Sequence, residues 1–334
     1  MSHYHLYAIG NALVDTEYEV SDELLNAMGV SKRHMTLIDT PQRAELLTHV
    51  QGLHARRTGG GSAGNTVVAL AQLGGQAFYS CRVADDELGA FYTQDLQANG
   101  VATNLTHTRP PEGQTGSCMV LVTPDAERSM CTFLGATAQL DASALHHHDI
   151  QKSQIYYMEG YLAASATGLE AAVKGRQIAI DGGVATALTL SDVSMINFCK
   201  AGLEAMMGDG LDYLFANEEE AQTWCGTTDL DTIIDKLSPL AKTVCLTRGP
   251  KGCIVVQGSE RTEVPAVPTQ AVDTNGAGDM FAGTFLYAIT HGHTPARAAA
   301  LANRTAAAVV SQHGNRLTAA QMQAIHTDFQ KALA

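Results

Sequence analysis

The residues best suited to chemistry lie in one short run of small side chains. Val272-Asp273-Thr274-Asn275-Gly276-Ala277-Gly278-Asp279-Met280 passes from a turn directly into an apolar stretch with helical spacing. Gly276 and Gly278 allow a ligand to approach the main chain. The free N–H groups of a first helical turn, together with the helix dipole, favour negative charge at that point. Such a helix start is an anion hole suited to a phosphoryl group in transfer. Asp279 falls within it, where a carboxylate could take the proton from an attacking hydroxyl. The plainer reading of the same residues is a glycine-rich turn with Asp279 as a helix-capping acid.

Other segments have chemistry that agrees with this one. Thr58-Gly59-Gly60-Gly61-Ser62-Ala63-Gly64-Asn65 also precedes a helix-like stretch. It contains a formal G-x-G-x-x-G at Gly59, Gly61 and Gly64, with Asp85 about 20 residues further on, which imitates a dinucleotide fingerprint. A true fingerprint closes the first strand of its βαβ unit. Here residues 49–57 are polar and not strand-like, so hydride chemistry is the weaker option. The stronger one is that the glycines admit a polyhydroxy ligand whose hydroxyls Asn65 binds. Gly10-Asn11-Ala12-Leu13-Val14-Asp15 follows an apolar run, which puts Asn11 and Asp15 on the ligand-facing edge of an open α/β sheet, with Asp15 able to accept from a vicinal diol. In Asn217-Glu218-Glu219-Glu220 hard oxygen atoms at i and i+3 could position a hydrated Mg²⁺, and helix capping explains them equally well. Leu246-Thr247-Arg248-Gly249-Pro250-Lys251-Gly252 is a strand and glycine turn able to receive nucleotide phosphates. There is no Walker A sequence, so a P-loop enzyme of the usual form is excluded.

These residues need a scaffold, and 334 residues with 45% hydrophobic content can build a large α/β core. A net charge of −13 without a basic stripe argues against nucleic-acid or anionic-membrane partners. The seven cysteines are dispersed with no Cys-x-x-Cys pair, as buried free thiols would be. No basic start leads into a long apolar segment, and no apolar run approaches the ~18 residues of a membrane span. The expectation is a cytoplasmic protein. His146-His147-His148 reads as a solvated turn in preference to a metal site.

Strand-like and helix-like segments alternate. Strands are expected at residues 4–9, 77–83, 154–158, 177–180, 212–215 and 243–247, and helices at 66–73, 88–99, 280–290, 295–312 and 318–333. That order predicts a mainly parallel sheet covered by helices. Residues 115–122 and 128–134 break the rhythm as an antiparallel hairpin, and 14–20 is a further strand of the same kind. Together they suit a small sheet acting as a lid.

In this order the motifs resemble those of the PfkB (ribokinase-like) family of carbohydrate and nucleoside kinases, over residues 6–316. Asp-Thr-Asn-Gly-Ala-Gly-Asp at 273–279 is similar to the family's C-terminal signature and Gly-Gly-x-x-x-Asn at 60–65 to its N-terminal one. Asn217-x-x-Glu220 and Thr247-x-Gly249-x-x-Gly252 are similar to its magnesium and nucleotide motifs. The resemblance implies a single ribokinase-like domain over 1–334, a three-layer α/β fold with a small β lid at about 13–38 and 113–136. It implies ATP and Mg²⁺, with a K⁺ ion optional, and a small-molecule acceptor. By it Asp279 is the base, and Gly276, Ala277 and Gly278 form the anion hole. Asn11, Asp15, Gly60, Gly61 and Asn65 hold the acceptor, and Arg128 of the lid faces the transferred phosphate. Asn217, Glu220, Thr247, Gly249, Gly252 and Asn303 attend ATP, with Glu220 holding Mg²⁺ through water and Asp273 a ligand for K⁺ near the 311–316 loop. Oligomeric state is not legible, and a dimer through the lid edge is one arrangement the resemblance allows.

Within the family, Gly10-Asn11-x-Leu13-x-Asp15, Gly60-Gly61-Ser62, Asp273-Thr274-Asn275 and Thr115-Gly116-Ser117-Cys118 with Arg128 look most like adenosine kinases. Glu159 in Tyr157-Met158-Glu159-Gly160-Tyr161 departs from the animal enzymes and is common in bacterial sugar-kinase-like members. The expected reaction is phosphorylation of the 5′-hydroxyl of adenosine. Fructose, ribose or a related sugar is the alternative acceptor. A silent nucleotide-binding protein and an NAD-dependent dehydrogenase are weaker ones.

Overall fold

A computed structural model describes residues 3–333 except 33, 34, 108 and 126. In chain order the first half contains β1 (Tyr4–Ile9), β2 (Leu13–Glu19), α1 (Asp22–Ala27), β3 (Met35–Leu37), α2 (Thr40–His49), β4 (Ala55–Gly60), α3 (Ser62–Gln72), β5 (Ala77–Ser80), α4 (Glu87–Ala98) and β6 (Val101–Thr103). Next come β7 (Ser117–Val122), β8 (Arg128–Phe133), α5 (His147–Gln151), β9 (Ser153–Glu159), α6 (Ala166–Asp181), β10 (Ala185–Thr189), α7 (Val193–Met207), β11 (Leu211–Asn217) and α8 (Glu218–Cys225). The chain finishes with α9 (Leu230–Leu237), β12 (Ala241–Thr247), β13 (Cys253–Gln257), β14 (Glu260–Val264), α10 (Ala277–Thr290), α11 (Pro295–Val310) and α12 (Ala319–Leu333).

Among the described residues the strands form two sheets. The larger has the order β14-β13-β12-β11-β10-β9-β1-β5-β6, parallel from β12 to β6 and antiparallel at β13 and β14. Side chains of a strand alternate between faces. On β1, Leu6 and Ala8 therefore join the core under α3, α10, α11 and α12, while Tyr7 and Ile9 join the core under α6, α7 and α8. Burial on both faces explains why these strands read as continuous apolar runs.

The smaller sheet has the order β3-β8-β7-β2-β4. β7 and β8 form the expected antiparallel hairpin, and β2 joins them in parallel with β7. One face packs Met119, Leu121 and Cys131 onto Leu25 and Leu46 of α1 and α2. Cys118, Met130 and Thr132 look the other way, into a cavity against the main sheet.

The structure corrects several boundaries. Residues 177–180 are not a strand. They close α6, whose buried Ala171, Ala172, Gly175 and Ala179 have helical spacing. The run Gln-Ile-Ala-Ile is too short to reveal its period alone. Residues 55–57, the end of the stretch read as not strand-like, begin β4, which runs to Gly60 and pairs antiparallel with β2. Its arginines are exposed because it is an edge strand, so it lacks an apolar pattern. The glycine run thus follows an antiparallel edge strand of the small sheet, away from the parallel βαβ position that a dinucleotide fingerprint requires. α3 starts at Ser62, inside the glycine run, four residues earlier than expected. Asp149 lies within α5, which begins at His147. Among the described residues no three His, Cys, Asp or Glu side chains form a metal cluster, and the seven cysteines are free. No helix among them is long and apolar enough to cross a membrane.

Candidate active site

A cavity of about 580 Å³ lies where the small sheet faces the carboxyl ends of the parallel strands. Asn11 after β1, Glu159 of β9, Thr189 of β10, Asn217 of β11 and Thr247 of β12 all reach it. Ligands bind at this edge in open α/β sheets because strand ends and helix starts expose unused polar groups there.

The glycine turn enters from the far side. Gly276 precedes α10 with φ +76°, a left-handed conformation that Gly tolerates and that lets the chain turn sharply into the helix. No side chain caps this N-terminus, and a Cβ on Gly278 would meet open space. Ala277 N–H makes a long 3.3 Å bond to the Thr274 carbonyl, and the helix start around it suits an anion in the cavity. Asp279 lies on this turn. Ser62 Oγ donates to its Oδ1 at 2.7 Å and Asn65 Nδ2 to its Oδ2 at 2.8 Å. Burial raises its carboxyl above the ordinary range, while these two bonds and the Arg316 charge pull it back.

Asp15 stands nearby on β2, and Asn315 Nδ2 donates to its Oδ2 at 2.7 Å. Burial, reinforced by the Asp279 charge, pushes its carboxyl up to about 7, although Arg316 and Arg128 oppose the shift. Gly60 clears space for it, since a Cβ there would lie 2.5 Å from Asp15 Oδ1. Gly61, at φ +83°, passes too close to the Asn11 carbonyl to bear a side chain.

Glu159 is fully buried between β1 and α3. Its Oε1 accepts from Asn11 N–H at 2.7 Å and its Oε2 from Ala63 N–H at 2.8 Å. Burial pushes it up to about 7 against those two bonds. Glu220 is likewise raised to about 7 by burial and by the charges of Asp192 and Asp279. Asn217 and Glu220 form a reciprocal capping box at the start of α8, with Asn217 N–H and Nδ2 donating to the carboxylate at 2.9 and 2.7 Å. The helix cap and the cavity-facing pair are thus the same two residues.

Three expected site residues have other partners. Arg128 is absent from the lining of the main cavity and donates to Glu17 Oε2 at 2.7 Å and pairs with Asp273 Oδ2 at 2.7 Å. The Asp273 carboxylate also accepts from the N–H groups of Asn275 and Gly314. Its charge is therefore matched by an arginine, and the K⁺ role that the resemblance implies does not fit this donor set. Asn303 donates to the Val264 and Pro265 carbonyls and anchors the segment after β14. Gly249 and Gly252 bracket a turn beyond Thr247 and do not line the cavity.

Sequence reading missed Ser62, Asn315 and Arg316 as partners of the carboxylates. It also missed Ser191, at φ +70°, and Asp192, which line the cavity after β10. A non-glycine residue in that conformation marks a constrained site. Only the Gly-Asn-Arg at 314–316 offered a signal, as polar residues between two helices.

The wall beside Asp15 is different in kind. Leu13, Met35, Leu37, Met130, Leu134 and Tyr161 make it largely apolar. The site therefore joins an apolar wing, a polar centre at Asp15 and Asp279, and an open helix start that favours anions. Such a site can hold a hydroxyl, accept its proton and stabilise a phosphoryl group.

The sequence and fold are similar to those of known kinases. The model of the pfkB family of carbohydrate kinases matches residues 31–321. An adenosine kinase of Schizophyllum commune is 27% identical, over 87% of this chain and 90% of that protein. The crystal structure of adenosine kinase from Sinorhizobium meliloti superimposes with a TM-score of 0.87 at 36% identity, covering 98% of this chain and 99% of that one. The structure named "probable sugar kinase protein" from Rhizobium etli CFN 42 gives 0.89 at 33% identity, over 100% of both chains. With its ribokinase-like layers, its glycine turn at a helix start and a family match across most of its length, this chain is a kinase of the pfkB family.

Proposed function

We propose that this kinase transfers the terminal phosphoryl group of ATP to the 5′-hydroxyl of adenosine, giving AMP. The observation that carries the reading is the apolar wing beside Asp15 and Asp279. A bare sugar would leave Met35, Leu37 and Met130 uncovered, whereas a nucleobase attached to the ribose would cover them. The adenosine kinases among the similar proteins support it. Glu159 supports it too, because both its oxygens already accept from main-chain N–H groups and hold β1 to α3.

In this reading Asp15 accepts from the ribose diol and Asp279 takes the proton of the 5′-hydroxyl. The main-chain N–H groups at 276–278 hold negative charge developing on the group in transfer. Closure of the small sheet, a lid built from residues 13–38, 55–60 and 113–136, keeps water out. Bound Mg·ATP supplies the phosphoryl group and neutralises its charge. Several carboxylates crowd this cavity and raise one another, as at Glu220, so the donor set suits a cation. Asn217 and Glu220 would hold it through water, with Thr247 beside the nucleotide. K⁺ has no part in the reading, given the Arg128–Asp273 pair.

A sugar acceptor is the second reading, favoured by the Rhizobium etli neighbour. A coupled assay of ATP consumption with adenosine, inosine, ribose and fructose separates the two. Adenosine should exceed the sugars in kcat/KM by at least ~10²-fold, because a site shaped for a base rejects acceptors that leave it unfilled. A higher kcat/KM for ribose or fructose would sink the nucleoside reading.

A further inference from the structure

The Asp279 carboxylate is the end of a buried chain of hydrogen bonds that begins on α4. Asp95 Oδ2 pairs with Arg316 Nη1 at 2.6 Å, and Arg316 Nε donates to Asn65 Oδ1 at 2.7 Å. Asn65 Nδ2 then donates to Asp279 Oδ2 at 2.8 Å. The Arg316 side chain is 10% exposed and Asn65 is 4% exposed.

We propose that Arg316 is a positioning residue for phosphoryl transfer: anchored by Asp95, it fixes the Asn65 carboxamide in one orientation and thereby holds the Asp279 carboxylate as an ionised acceptor. The proposal rests on Asp279 as the base. Its logic is donor chemistry. A guanidinium can only donate, so the Asn65 oxygen must face Arg316. The NH₂ end must then face Asp279, and a carboxylate that receives two donors, Asn65 and Ser62, is favoured in its charged form. Without Arg316 the carboxamide could turn over and present its oxygen to Asp279, a contact satisfied only by a protonated acid.

Two glycines make room for this chain. A Cβ on Gly59 would run into Asp95 Oδ2 and lie 2.8 Å from Arg316 Nη1. A Cβ on Gly64 would strike the Tyr92 hydroxyl and lie 3.6 Å from Arg316 Nη2. These positions of the glycine-rich run therefore serve the relay, while Gly61, Ser62 and Asn65 of the same run line the cavity.

The charges around Asp279 show why such a cation matters. Asp15 on β2, Glu159 on β9 and Glu220 on α8 all feel the Asp279 charge, as do the hydroxyls of Tyr157 and Tyr161. All of these are acids. Arg316 opposes them, acting on Asp279 and on Asp15 together.

The test is the pH profile of kcat with the best acceptor for wild type, Arg316→Met, Arg316→Lys, Asp95→Asn, Asn65→Ala and the Arg316→Met/Asn65→Ala double variant, with Asp279→Asn as control. Arg316→Met should lower kcat ~10- to 10²-fold, as misplacement of a reacting group does, with KM for ATP within about 2-fold. Its acid limb should move to higher pH, and lysine should restore part of both losses. Asp95→Asn weakens the anchor of Arg316, so kcat should fall and its acid limb should also move to higher pH, by less than in Arg316→Met. The double variant should be no slower than Asn65→Ala alone, because the two residues act through one path. An acid limb that moves at both 316 and 95, with lysine restoring part of the loss and no further loss in the double variant, cannot arise from a general loss of structure, and Arg316→Lys with Asp95→Asn decides the matter if the methionine variant does not fold. An unmoved acid limb together with multiplicative losses would overturn the relay while leaving Asp279 as the base. Near-normal turnover in Asp279→Asn would overturn the base and the relay with it.

Discussion

Arg128 on β8 and Asp273 in the glycine turn form an ion pair of 2.7 Å with side chains only 13% and 6% exposed, joining the small sheet to the start of α10. Removing one member of a buried pair leaves the other charge without a partner. Arg128→Met should therefore cost about 3 kcal/mol in urea unfolding. Arg128→Met/Asp273→Asn should recover part of that loss, because Asp273 no longer carries a stranded charge, while the more exposed Glu17 still loses its partner. A double variant as unstable as the sum of its parts would show that the pair is not coupled.

The two glycines of the helix start should respond differently to alanine. At Gly276 the φ of +76° and the nearby Asn315 carbonyl make a Cβ strained, so Gly276→Ala should lower stability by about 1–3 kcal/mol. At Gly278 a Cβ meets open space inside a helix. Gly278→Ala should keep the wild-type Tm or raise it, yet lose at least ~10-fold in kcat, because the methyl group stands where an anion would meet the N–H groups. Full activity in Gly278→Ala would remove this turn from the phosphoryl site.

Asp279→Asn keeps the shape while removing the basic oxygen and replacing one of the two acceptors of Ser62 and Asn65 by an NH₂. Its kcat should fall ~10²–10⁴-fold, and ATP binding measured by calorimetry should stay within a few-fold of wild type. Loss of ATP binding along with turnover would point instead to a structural role.

Stability and activity should respond to pH in opposite directions. Asp15, Glu159 and Glu220 are each raised to about 7 in the folded protein, above the ordinary carboxylate value that they regain on unfolding. Across that window the unfolded chain is charged and the folded one holds protons. Stability is then greatest at the acid end and is lost as pH rises from about 5 through 7. Activity needs Asp15 charged to accept from a diol, so kcat/KM should fall as pH drops below 7. Thermal melts of the unliganded protein and kcat/KM from pH 5.5 to 8.5 check both signs. A Tm that rises with pH over that range would contradict the buried-acid assignment.

Much of the main sheet was legible in the sequence because its strands are buried on both faces. Residues 4–9 and 243–247 stand out as apolar runs for that reason. The edge strand at 55–60 was not, since Arg56 and Arg57 face solvent. The helix segment at 177–180 was misread because four residues cannot show a period of 3.6. The spacing of Asn217 and Glu220 was legible because it caps a helix, and the fold turns that same pair toward the cavity.

The turn at 273–279 was determined by the sequence alone. Its glycines, its aspartate and the helix that follows are contiguous, so a glycine turn into a helix start is a local feature, while Arg128 and Gly314 fix where Asp273 sits. What surrounds Asp279 was decided only by the tertiary structure. Asn65 was expected to hold a ligand hydroxyl, and it donates to Asp279 across 214 positions, while Arg316 reaches Asn65 across 251. A buried carboxylate takes the donors that the fold packs against it, and no local pattern of residue types records which ones those are.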